Sequence, residues 1–229
     1  MICFVCVPAW GKNWAYLALA LWWTCVVLSV FINVGMVFVL FARQRQTAQT
    51  LGPTWLLPIV TTVVAAASGA VVAQTLLPYN AGLGRGTLLA AYCVWGTGVP
   101  LAMMVIALVV YRTAIYGPPE GSALASSFLP LGPCGQGSYG IIMMGTTARH
   151  LAYDFDTPII PGLDADAARR IADAMYAGGL VVGLIMWGLA LVFYLLASAL
   201  FIDSWRRDWA LLGRSRFAIG LWGLTFPIG

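Results

Sequence analysis

"FLPLGPCGQGSYGIIMMG", residues 128–145, sets five glycines and two prolines inside an apolar stretch long enough to cross a bilayer. Both residue types are poor in the interior of a water-soluble helix. In a membrane they are tolerated where neighbouring helices or water take up the freed backbone groups. The stretch therefore points to a distorted helix surrounded by protein.

The surrounding composition agrees. Of 229 residues, 61% are hydrophobic and 9% are charged, against about 25% charged residues in a soluble domain. The chain is read as an all-α integral membrane protein. The net charge of +4 lacks the basic runs with interleaved aromatics of a nucleic-acid interface, so no nucleic-acid partner is expected.

Charges gather at Lys12, at Arg43 and Arg45, at Arg85, at Arg112 and Glu120, between Arg149 and Asp173, and between Asp203 and Arg216. A crossing helix needs about 20 residues. Complete spans are accordingly expected near 14–41, 54–77, 87–111, 122–147 and 176–202, all in one transmembrane domain covering 1–229. Partial spans are expected at 1–8 and 217–229, as in a piece of a longer protein. Alternating loops place 42–53, 112–121 and 203–216 on one face with seven arginines, against five basic residues opposite. The positive-inside rule makes the first set cytoplasmic.

Catalytic chemistry has no foothold. There is no nucleophile with its base, no metal constellation and no phosphate loop, so neither an enzyme nor a cofactor or metal is expected. The pair in "CFVC" (3–6) is read as packing residues, because no second pair accompanies it. His150, beside Arg149, is read as an interfacial residue without a carboxylate at ligand spacing.

Two kinds of span alternate. "WLLPIV" (55–60), "SFLPLG" (127–132) and "LTFPIG" (224–229) each place an aromatic residue near a proline, Pro58, Pro130 and Pro227. "WGTGVPLAMM" (95–104) and "IMWGLALVF" (185–193) carry Trp-Gly instead. The order reads as repeated helical hairpins around a central pore, with the proline helices expected to kink and to line the axis. Candidate lining or kink residues are Pro58, Thr61, Thr62, Ser68 and Gly69 on the first proline helix. On the second they are Ser127, Pro130, Gly132, Pro133, Gly135, Gln136, Gly137 and Ser138. On the third they are Thr225 and Pro227. Small and hydroxyl residues also serve tight helix packing in lipid, so both roles stay open for each. No complete span holds an ionised side chain, which favours passive passage over proton coupling and leaves an anion unrepelled.

"CVPAWG", "LALWW", "WLLPIVTTVVAAASGAVVA", "YCVWGTGVPLAMM", "FLPLGPCGQGSYGI", "LIMWGLALVF" and "LWGLTFPIG" occur in this order. Together they resemble the fungal sulfite efflux branch of the tellurite-resistance/dicarboxylate transporter family, which includes slow anion channels and malate permeases. The resemblance implies a ten-helix fold of five hairpins whose inner helices surround a pore, often assembled as a homotrimer. It implies plasma-membrane export of sulfite or bisulfite, with malate-type dicarboxylate transport as the alternative. A non-transporting truncated remnant is the reading from another class. The resemblance also maps onto Phe226, in "LWGLTFPIG", the role of a phenylalanine that occludes the pore.

Overall fold

The computed structural model describes residues 2–44, 47, 51–119 and 121–207. Among these residues every regular element is a helix. A π-helical turn, Ile2–Cys6, leads into α1, Val7–Trp10. Gly11 then takes φ +83°, a left-handed value that favours glycine, and reverses the chain into α2, Lys12–Ala42. A 3-10 turn at Pro53–Trp55 opens α3, Leu56–Leu76. α4, Ala81–Tyr116, begins at Asn80, whose side-chain oxygen accepts the Leu83 N–H at 3.0 Å. A 3-10 helix at Gly121–Phe128 precedes α5, Leu131–Tyr153, and α6 runs Ala165–Arg207.

The expected spans at 14–41 and 54–77 coincide closely with α2 and α3. α4 and α6 extend well beyond 87–111 and 176–202. The expected span at 122–147 differs most, because it divides into the 3-10 piece and α5, separated at Leu129–Pro130. α5 has 23 residues, about 35 Å at the helical rise, enough for a hydrocarbon core of about 30 Å. The described residues hold four helices long and apolar enough to cross a membrane, at Lys12–Ala42, Pro53–Leu76, Ala81–Tyr116 and Ala165–Ser204. α5 lies outside that set because glycines and hydroxyls replace the apolar side chains that lipid contact would require.

The described prolines expected to kink their helices lie at helix starts. Pro58 lies in the first turn of α3 and Pro130 is the residue that caps α5. Neither interrupts a helix, because first-turn N–H groups have no intrahelical partner to lose. Pro133 also falls in the first turn of α5. The proline inside a helix is Pro100, in α4.

Burial sorts the helices into inner and outer sets. In α3, 72% of the most apolar window is buried, against 17% in α2, 39% in α4 and 28% in α6. Thirteen residues of α5 are buried. The Pro58 and Pro130 helices are thus inside, and the Trp-Gly helices α4 and α6 pack around them. Lipid gives little hydrophobic drive to helix association, so close approach of small residues carries the packing. A methyl group on Gly140 of α5 would lie 3.2 Å from Ala67 of α3. One on Gly179 of α6 would lie 2.8 Å from the Ile141 carbonyl oxygen of α5.

The charged stretch around 148–175 is mostly helical, and its connecting loop shrinks to 154–164. Arg149 Nε pairs with Asp173 Oδ1 at 3.1 Å, and Arg169 Nη2 with Asp156 Oδ1 at 3.0 Å. The Tyr153 hydroxyl donates to Asp173 Oδ2 at 2.7 Å, and that bond is the main reason its pKa is raised. His150, expected without a carboxylate in reach, has one a helical turn away: Nδ1 lies 2.6 Å from Asp154 Oδ2.

Candidate functional site: a cleft along the inner helices

α3 is buried on most of its circumference, but one stripe stays open. Leu57, Thr61, Val64, Ser68, Val71 and Thr75 are all exposed or half-buried. Their steps of three and four residues trace a single helix face. α5 has a matching stripe through Gly135, Gln136, Tyr139, Met143 and Thr146. The two stripes converge on a cleft of about 550 Å3, to which α3 contributes Val64, Ser68 and Val71 and α5 contributes Gln136 and Tyr139. The amino-terminal turn closes one side with Ile2, Cys3 and Phe4, and α2 contributes Trp22 and Cys25. Among the described residues no Asp, Glu, Lys, Arg or His lines the cleft.

The serine hydroxyl of the cleft turns its proton away from the open space. Ser68 Oγ lies 2.9 Å from Val64 O and 3.0 Å from Ala65 O, so its proton is directed back to its own helix and its lone pairs are free. Thr61 Oγ1, on the same stripe but outside the cleft lining, donates to Pro58 O at 2.7 Å and lies 3.4 Å from Ser29 O of α2. Thr61, Ser68, Gly135 and Gln136, four of the residues singled out in the sequence, stand on the open stripes, with Pro58 half-buried beside them.

Most of the others sit between helices. Thr62 is fully buried; its Oγ1 donates to Ile59 O at 2.7 Å and accepts from Asn33 Nδ2 of α2 at 3.3 Å. Ser138 Oγ donates across to Gly183 O of α6 at 2.7 Å. Gly69 faces the Trp22 ring, and Gly137 faces Met186 and Val99. Gly132 and Pro133 are buried. Pro130 is buried and Ser127 half-buried, and both line a separate cavity of about 300 Å3 between α4 and α6. Thr225, Phe226 and Pro227 lie outside the described residues.

Several positions carry signals that sequence reasoning passed over. Trp22 Nε1 donates to Ala65 O at 2.8 Å, and Trp95 Nε1 donates to Gly137 O at 2.9 Å. Each acceptor lies seven residues past the proline of its inner helix, Pro58 and Pro130. This shared register is a structural trace of the hairpin repeat. Asn33, an amide within a span, could have been noticed by its polarity alone. Tyr139 could have been found from its helical spacing to Gln136.

The model of the voltage-dependent anion channel family matches residues 1–229. The chain belongs to that family. It is 37% identical to the sulfite efflux pump SSU1 of Trichophyton rubrum over 228 residues, all of this chain and 56% of the relative. The identity and coverage are the same for the sulfite efflux pump SSU1 of Arthroderma benhamiae. An uncharacterized transporter of Methanocaldococcus jannaschii is 22% identical over 209 residues, 90% of this chain and 51% of its own length. The chain thus spans about half the length of the curated relatives it matches. No solved structure matches it. As a voltage-dependent anion channel family member, this chain is a polytopic helical membrane protein, and its inner and outer helices are the part of that fold described above.

Proposed function

We propose that the chain is part of a plasma-membrane exporter of sulfite or bisulfite, with the α3–α5 cleft forming one wall of the anion path. The observation that carries this reading is the pair of open stripes. Two helices that are otherwise buried each leave one face free, those faces bring Ser68, Gln136 and Tyr139 together, and no carboxylate among the described residues lines the space where they meet. A small oxyanion needs such polar contacts to replace part of its hydration shell, and no fixed negative charge repels it. The likeness to two fungal proteins named as sulfite efflux pumps supports sulfite as the substrate.

The resemblance stated above adds the rest of the proposal. Five hairpins in a ten-helix fold would surround the pore, three copies would assemble, and Phe226 would close the path. An apolar ring blocks a hydrated ion sterically and by desolvation. Phe226→Ala in the full-length protein is then expected to raise anion leak at unchanged surface expression. Equal or lower flux would remove Phe226 from the gate.

Sulfite and malate are separated by deleting the gene in its host. The expected outcome is sulfite sensitivity with normal malate uptake, reversed by restoring the gene. Lost malate uptake with normal sulfite tolerance would favour the dicarboxylate reading. No change in either, with the protein normally expressed, would favour the non-transporting remnant.

A further inference from the structure

The cleft contains two polar groups that nothing else in the described residues engages. Gln136 and Tyr139 are three residues apart on α5, so their side chains rise from one face about 5–6 Å apart at Cβ. Both line the cleft. Neither the Gln136 amide nor the Tyr139 hydroxyl has a hydrogen-bond partner among the described residues, and Tyr139 is 45% exposed. The walls around them are overwhelmingly apolar, from Val64, Val71 and Trp22 to Ile2 and Phe4. Both groups reach open space in the cleft, so their donors are available to a solute there.

We propose that Gln136 and Tyr139 form a neutral donor pair that holds a singly charged oxyanion, with Ser68 Oγ accepting a hydrogen bond from the anion's own hydroxyl. This rests on the reading of the cleft as the anion path and adds the form of the ion that passes. The Gln136 amide supplies two N–H donors and the Tyr139 phenol one O–H. Ser68 Oγ, its proton turned to Val64 O and Ala65 O, presents lone pairs. Three donors and one acceptor match an oxyanion that carries a hydrogen, such as bisulfite.

Charge points the same way. Desolvation of an ion grows with the square of its charge, so a dianion costs about four times as much as a monoanion to bring into the same surroundings. With no Arg, Lys or His among the described residues that line the cleft, neutral donors there must offset that cost alone. They suffice for weak, transient binding of a monoanion, and weak binding is what permits an ion to leave again.

The test uses the full-length protein in a cell that can be voltage-clamped, with bisulfite, nitrate and chloride as probe anions. Tyr139→Phe and Gln136→Leu are each expected to lower bisulfite and nitrate flux relative to chloride by roughly tenfold, the effect of one lost hydrogen bond to a charged group. Ser68→Ala is expected to lower bisulfite flux and leave nitrate unchanged, since nitrate carries no proton to donate. Surface expression is measured for every variant, and Tyr139→Trp, which keeps a ring donor, should recover part of the flux if the position folds normally. Absence of sulfite flux in the unsubstituted protein would overturn the path itself. Sulfite flux in it, with unchanged anion ratios in Tyr139→Phe and Gln136→Leu, would overturn the donor pair alone. An equal loss of nitrate in Ser68→Ala would overturn the acceptor role.

Discussion

Trp22 and Trp95 show how much one side chain can organise inside a membrane. Each sits on an outer helix and sends its indole N–H to a backbone carbonyl of an inner one, Ala65 and Gly137. A carbonyl has two lone pairs, so it can accept this bond without giving up its place in the helix. The apolar ring fills the groove opened by small residues, as Trp22 does over Gly69. Replacing Trp95 with Phe keeps most of the ring and removes the donor. Interhelical hydrogen bonds in membranes contribute about 0.6–1.7 kcal/mol, so Trp95→Phe is expected to lower stability by about 1 kcal/mol in a detergent-titration unfolding measurement. Trp22→Phe should behave alike. Trp23→Phe, on the more exposed neighbouring ring, should cost less than either. Equal stability of all three variants would show that the indole bonds contribute nothing.

Among elements, the α5–α6 interface depends most on missing side chains. A methyl on Gly145 would lie 2.9 Å from Tyr176 Cα, and one on Gly179 would lie 2.8 Å from Ile141 O. These neighbours are backbone atoms, which cannot rotate away, so a methyl group must push the helices apart. Gly179→Ala is expected to cost about 1–3 kcal/mol by overpacking. Gly188, on the same helix, has nothing within 4 Å of the corresponding position. Gly188→Ala should therefore be neutral or slightly stabilising, because alanine is the better helix former. Equal loss in both variants would mean that helix bending, not contact, sets the cost. Gly137 is intermediate: its nearest neighbour is the flexible end of Met186. Gly137→Leu still asks for more room than Met186 and Val99 can yield, and reduced expression or flux is expected.

The whole molecule has a sidedness that labelling can check. The helices alternate direction, so the 154–164 connection lies opposite the turn at 117–119. The arginine distribution predicts that the second of these is cytoplasmic. Ile160 and Pro118 are both exposed. On intact cells, Ile160→Cys should react with an impermeant thiol reagent and Pro118→Cys should react only after permeabilisation. The reverse pattern would invert the orientation. The network of Arg149, Tyr153, Asp173, Arg169 and Asp156 would then lie on the cytoplasmic side instead of bracing the outer end of the bundle.

Lipid solvation makes membrane character, helix class and the positions of most long helices legible in residues alone, because uncharged runs of crossing length have few other stable fates. The division into proline helices and Trp-Gly helices was also legible, as repeated words in the chain. Where each proline falls in its helix was not: Pro58 and Pro130 start theirs, whereas Pro100 lies within one. That depends on where the first hydrogen-bonded turn closes, which is a matter of register and not of residue type. The same limit governs the candidate site. Thr61 and Thr62 are adjacent and chemically identical, yet one stands on the open stripe and the other is sealed against α2. Gln136 reaches the cleft while Ser138 bonds across to α6. One residue turns a helix by about 100°, so side-chain chemistry alone cannot separate a group that meets solute from one that glues helices. Only the packing of α2, α4 and α6 around α3 and α5 decided which faces remained open.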